Sequence, residues 1–206
     1  MRIAVLITAL ASLASVGLGA AHAAPVVSGS TVVDVTADLG ALGLSAEPLD
    51  DSTIADGRFT FPISGGALDG LAGTIEHEEA GVRLFTATDS VTLENFVIDT
   101  VASEIIADVT VNDSAAITAA VFSFDLGALG SIDDLFDLAN PSLPLVFTSA
   151  AASVLADAFG LTIDLTGVEF GLAATSPELV PVPGAIGLFA IGAAFLGWAR
   201  RRKAAA

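Results

Sequence analysis

The chain is predicted to be mainly β: an antiparallel β-sandwich or barrel-like domain with one or two short helices, preceded by an N-terminal signal helix and followed by a C-terminal transmembrane helix. Three observations lead there. Short stretches of alternating apolar and polar residues recur from Thr31 to Leu172, separated by turns rich in Gly, Asp and Asn, and strands at such spacing pack as a sandwich or barrel. Only two stretches show helical spacing of apolar residues. Both ends of the chain are uncharged apolar runs flanked by basic residues.

Residues 1–23 form the first of these ends. Arg2 supplies a positive start, Ile3 to Leu18 are apolar or small, and Ala21-His22-Ala23 places small residues at the two positions a signal peptidase reads. Ala21 and Ala23 are therefore the predicted cleavage determinants, and the chain is predicted to be exported. The body, residues 24–178, opens with a strand over Thr31 to Thr36, in which Val33 and Val35 share a face, and another from Arg58 to Ile63 that stops at Gly65-Gly66. Gly73 to Glu78 and Val82 to Thr86 flank Glu79-Ala80-Gly81, which reads as a hairpin turn. Val91 to Asp99 is a longer strand whose alternation slips at Asn95, the mark of a bulge. Glu104 to Val111 and Ile117 to Asp125 continue the meander. Ser131 to Leu138 has helical spacing and ends at Asn140-Pro141. A second helix is predicted from a Thr148 or Ser149 cap to Phe159, with Gly160 as the residue that ends it. Thr162 to Leu165 and Val168 to Leu172 return to strand. Thr175 to Glu178 links the body to the tail and is too short to form a stalk, which keeps the body close to the membrane.

Residues 179–206 form the second end. Pro181-Val182-Pro183-Gly184 breaks the chain, Ala185 to Ala199 carry no charge, and Arg200-Arg201-Arg202-Lys203 follow. A helix over 185–199 spans about 24 Å at 1.5 Å per residue, short of a hydrocarbon core of roughly 30 Å, a gap that bilayer thinning and snorkelling arginines can close. The basic cluster over 200–203 is predicted to stay cytoplasmic. The body is then anchored to the inner membrane facing the periplasm before processing, and is surface-bound or extracellular afterwards.

All 24 acidic residues lie in the body, with only Arg58 and Arg83 of the 7 basic ones, so the body carries 2 − 24 = −22. That charge excludes nucleic acid as a partner. The absence of cysteine excludes disulfides and thiolate metal sites. No Gly-x-Ser-x-Gly elbow, phosphate loop or dinucleotide fingerprint is present, and the only lysine is Lys203 in the tail. Carboxylate pairs occur at Asp50-Asp51, Glu78-Glu79 and Asp133-Asp134 with Asp137. The body has no tryptophan or tyrosine to bind a sugar, so they read as solvated turns rather than hydrolase acids. No enzyme activity is predicted. Calcium needs only carboxylate and carbonyl oxygens, and Asp108, Asn112 and Asp113 make at best a loose cluster of that kind, without an EF-type loop.

Two resemblances add to this. Pro181-Val182-Pro183, the apolar stretch and Arg200-Arg201-Arg202 together resemble the PEP-CTERM/VPLPA-CTERM sorting signals, with Val182 in place of the usual glutamate. The resemblance implies recognition of Pro181, Pro183, Arg200, Arg201 and Arg202 by an exosortase-like membrane processing enzyme, and an association with exopolysaccharide. The body resembles the HtaA-type domain of secreted haem-uptake proteins. Phe59-Thr60-Phe61-Pro62 with Gly65-Gly66, Gly73 to His77 through Gly81 to Leu84, and the run from Leu145 to Gly171 carry that likeness. It implies haem bound through a tyrosine that a histidine supports. This chain has no tyrosine, and His77, its only histidine beyond the signal peptide, matches the supporting position. Two readings of His77 stand: a haem ligand, or a solvated histidine beside a hairpin turn flanked by Glu76, Glu78 and Glu79, which repel propionates. The function expected from sequence is a non-enzymatic, exosortase-sorted surface or matrix protein, the alternative being a haem-uptake module.

Overall fold

The structure, a computed structural model, describes residues 23–180. The predicted signal peptide with Ala21, and the sorting signal with Pro181, Pro183, Arg200, Arg201, Arg202 and the span 185–199, lie outside the described residues. Ala23 lies just inside them, exposed ahead of the first strand.

Eleven strands are described: β1 Ala24–Val35, β2 Ser45–Asp50, β3 Thr53–Ala55, β4 Arg58–Pro62, β5 Gly65–Asp69, β6 Ala72–Phe85, β7 Ser90–Asp99, β8 Glu104–Val111, β9 Ile117–Ser123, β10 Leu143–Phe147 and β11 Glu169–Leu179, with one α-helix, α1, at Ser149–Phe159. They form one antiparallel sheet. Neighbours run from β5 through β6, β7, β8, β9 and β10 to β11, and β11 pairs with β1 along its length. β1 then meets β5 through only two residue pairs, Ala24↔Leu68 and Pro25↔Ala67. The circuit therefore closes weakly. β4 continues into β5 along β1, and β2 and β3 are inserted between β4 and β6 at one end. The result is a mainly β antiparallel fold rather than a clean barrel.

Alternation places the core. Phe59 and Phe61 of β4, and Ile105, Ala107 and Val109 of β8, point inward at every second residue, as a pleated strand requires. In β7 the inward set shifts from Val91 and Leu93 to Phe96 and Ile98. The shift occurs at Asn95, whose φ of 55° makes the predicted bulge. The helix α1 is capped as its sequence indicates: the Thr148 hydroxyl accepts from the Ala151 amide at 3.1 Å, and Gly160 ends it at φ 64°. Ala151, Ala152 and Leu155 are its buried face.

Several expectations are corrected. Glu79-Ala80-Gly81 is no hairpin turn. It is a bulge inside the long strand β6, facing the Asn95 bulge of β7, with Glu79 at φ 56° and its amide donating to Asn95 Oδ1. The local residues suit either outcome, and pairing with β7 on both sides of the bulge decides it. Ser131 to Leu138 forms a 3₁₀ turn, Ile132–Phe136, held by a capping box between Ser131 and Asp134. Thr162 to Leu165 is loop, because Asp164 turns the chain by accepting the Thr166 amide at 2.8 Å. Thr175 to Glu178 is not a linker but the second half of β11, paired with Ser28 to Thr31.

A buried histidine and threonine chain as the candidate site

His77 projects from β6 into the interior, between the stretch paired with β5 and the stretch paired with β2. Its backbone sits opposite Phe96 of β7. Its side chain reaches across to β1, where Nε2 lies 2.8 Å from Thr31 Oγ1. Thr31 is opposite Thr175 in the β1–β11 register, and their hydroxyl oxygens are 2.8 Å apart. Three polar side chains from β6, β1 and β11 thus form one hydrogen-bonded chain inside an apolar core. A buried hydroxyl or imidazole without a partner costs about 1–3 kcal/mol, which explains why these residues occur together.

The solvated reading of His77 is overturned: the residue is 1 % exposed. It occupies an inward position of β6, and because the strand bulges instead of turning, the glutamates beside it face outward. Burial pushes its pKa down to about 4, since the core disfavours the imidazolium; the Phe96 backbone carbonyl opposes this only in part. The ring is neutral at neutral pH. Among the described residues its buried Nδ1 has no hydrogen-bond partner of good geometry.

A void of about 30 Å³ adjoins the ring, lined by Phe61, Phe96, Phe122 and Phe170 among others. A second of about 40 Å³ lies beyond Thr31 and Thr175, beneath Leu71 and Phe136. Each has room for a few waters at most. A haem group does not fit here: the voids are far smaller than the macrocycle, Nε2 is held by Thr31, and no cationic side chain lines either void. On the outside of the same wall an open groove carries Glu76, Glu78, Glu79 and Asp108, which repel propionates.

The other acidic candidates have structural partners. Asp108 is taken by Asn95 at 3.1 Å and Thr118 at 2.7 Å. Asn112 accepts the Ser90 amide and donates to Asp89 at the β8–β9 turn, so the loose Asp108, Asn112 and Asp113 grouping is not assembled into one site. Among the described residues no cluster of three or more His, Asp or Glu side chains is placed to hold a metal. Asp137 accepts from Asn140 and from the Ala139 amide, which hold its pKa low. Glu94, desolvated and hydrogen-bonded to Asp50 with Asp108 nearby, is held above the usual carboxylate range. The side chain of Glu94 packs over bare Gly81, its partner in the β6–β7 register, a contact that no sequence spacing signals. Thr31 and Thr175 were equally hidden as site residues. For Thr31 the available signal was its place on the strand face of Val33 and Val35.

This body has the fold of an HtaA domain. The C-terminal domain of HtaA from Corynebacterium glutamicum matches it with a TM-score of 0.57 and 17% sequence identity, over 76% of this chain and 99% of that one. At that identity the likeness is one of fold. No protein-family model matches the chain, and no curated protein matches it in sequence.

Proposed function

We propose that this chain is an exported, non-enzymatic surface or matrix protein whose β-domain is delivered by its signal peptide and released by an exosortase-like enzyme acting on the segment around Pro181 and Pro183. One observation carries the reading. The strand β1 starts at Ala24, one residue beyond the predicted cleavage site, and β11 ends at Leu179, two residues before Pro181. Val26 pairs with Leu179, and the Val180 amide donates to the Pro25 carbonyl at 3.0 Å. Both segments lie just outside one folded unit, so cleavage at either severs no strand. Arg200, Arg201 and Arg202 supply the cytoplasmic stop, and exopolysaccharide is the proposed matrix partner.

In the test, Pro181→Ala/Pro183→Ala is expressed in the native host. Full-length, membrane-held protein is expected to accumulate; unchanged release refutes the sorting reading. The haem alternative rests on the fold likeness. The placement of His77 weighs against it. Titrating residues 23–180 with micromolar hemin is expected to give no Soret shift, and a shift that His77→Ala abolishes would restore that alternative.

A further inference from the structure

One end of the domain gathers the points where the chain enters and leaves. The registers Ala24↔Leu68, Asp69↔Ala72, Thr74↔Asp99 and Asp99↔Glu104 place the start of β1, the β5–β6 turn and the β7–β8 turn together there, and β11 ends beside them. The Ile132–Phe136 turn covers the void at this same end. Each of these segments offers a large apolar side chain to solvent. Leu71 is 38%, Val101 73% and Phe136 40% exposed, with Leu179 and Val180 beside the exit. Hairpin apices normally carry turn-forming polar or small residues, as the opposite end does with Thr86 to Asp89 and Asn112 to Ser114. Ile54, Ile117, Ile163 and Val168 are also exposed, but none lies in these segments.

We propose that this end docks on a lipid surface, with Leu71, Val101 and Phe136 entering the interfacial layer. The proposal extends the anchor reading of residues 185–199. Only residues 181–184 separate Val180 from that uncharged stretch, at most about 14 Å of extended chain, so a bilayer holding the stretch lies within reach of these apices. Charge selects the lipid. Asp69, Asp99, Glu104 and Glu178 flank the apices, and a body with 24 acidic residues and two arginines is repelled by anionic headgroups. The matching surface is zwitterionic.

The test does not depend on the native anchor. Ala23–Pro181 form a compact unit by themselves, so residues 23–180 with a C-terminal hexahistidine can be tethered to phosphatidylcholine vesicles containing a chelating lipid. The chain has no cysteine, so Val101→Cys and, at the far end, Ala87→Cys each accept one environment-sensitive dye. A nitroxide on the lipid acyl chain is expected to quench the dye at position 101 and spare the one at 87. The loss of emission at 101 is expected to disappear in a Leu71→Ser/Phe136→Ser background and to shrink when phosphatidylglycerol is added. No quenching at 101, equal quenching at both sites, or quenching that survives the double substitution overturns the proposal. Leu71→Ser alone, with its circular dichroism checked, serves if the double variant misfolds. Carbonate extraction of the full chain tests the native anchor separately, and its failure leaves the vesicle result standing.

Discussion

Acid should weaken this domain through one residue. In the unfolded chain His77 titrates near its ordinary 6.5, and in the fold near 4. The folded state therefore binds fewer protons across that window. Its contribution is fully present above pH 6.5 and is lost as pH falls toward 4. At 1.36 kcal/mol per pH unit the loss reaches about 3 kcal/mol, a large part of a typical 5–15 kcal/mol total. Other groups act in the same range: Asp137 and Asp164, held low by hydrogen bonds, lose stability further down, and protonation of the acidic surface relieves repulsion. A comparison removes them. Urea unfolding of residues 23–180 and of His77→Gln, followed from pH 7.5 to 4, should show the parent losing about 3 kcal/mol more than the variant. The body holds one histidine, so its C2 proton gives one NMR signal, expected to titrate far below the usual midpoint. Parallel stability curves, or an NMR midpoint near 6.5, refute the reasoning.

Other outcomes follow from the same core. Thr31→Val strips His77 Nε2 and Thr175 of their shared partner and should cost about 1–3 kcal/mol in urea unfolding at pH 7. Adding His77→Phe should recover part of that cost, because the orphaned imidazole is then gone. Gly29 has φ 129°, and a β-carbon there would collide with the Ser176 carbonyl oxygen. Gly29→Ala should therefore cost more than the roughly 1 kcal/mol such changes gain at permissive sites, read as a lower midpoint of thermal unfolding. Leu155→Ala empties the buried face of α1 and should cost about 2–5 kcal/mol, with the helix exchanging its amide protons faster.

Much of the wall was legible because its strands carry their own evidence. β4 and β8 alternate cleanly, β7 alternates on each side of its Asn95 bulge, and α1 has a threonine at one end and a glycine at the other. Strands lacking such a pattern were missed. β2 contains Glu47 and Pro48 and is tolerated because it pairs only with β6. β5 begins with two glycines whose pairing with β6 allows no side chain at Gly66, where a β-carbon would meet the Thr74 carbonyl. β10 is five residues long and spans a proline. The site was legible only as a residue type: the lone histidine was evident, and its surroundings were not.

Sequence alone was enough for what depends on local order and total charge: a mainly β body and its net charge of −22. Tertiary structure alone decided that Glu79 makes a bulge and not a turn, that Thr175 to Glu178 belongs to a strand, and that His77 is buried against Thr31. Each outcome turns on which strand lies alongside, and such pairings join residues far apart in the chain: His77 and Thr31 are 46 positions apart, and Thr31 and Thr175 are 144 apart. Hydrogen-bonding partners at that separation are chosen by the packing of the whole sheet, and no local run of residues encodes them.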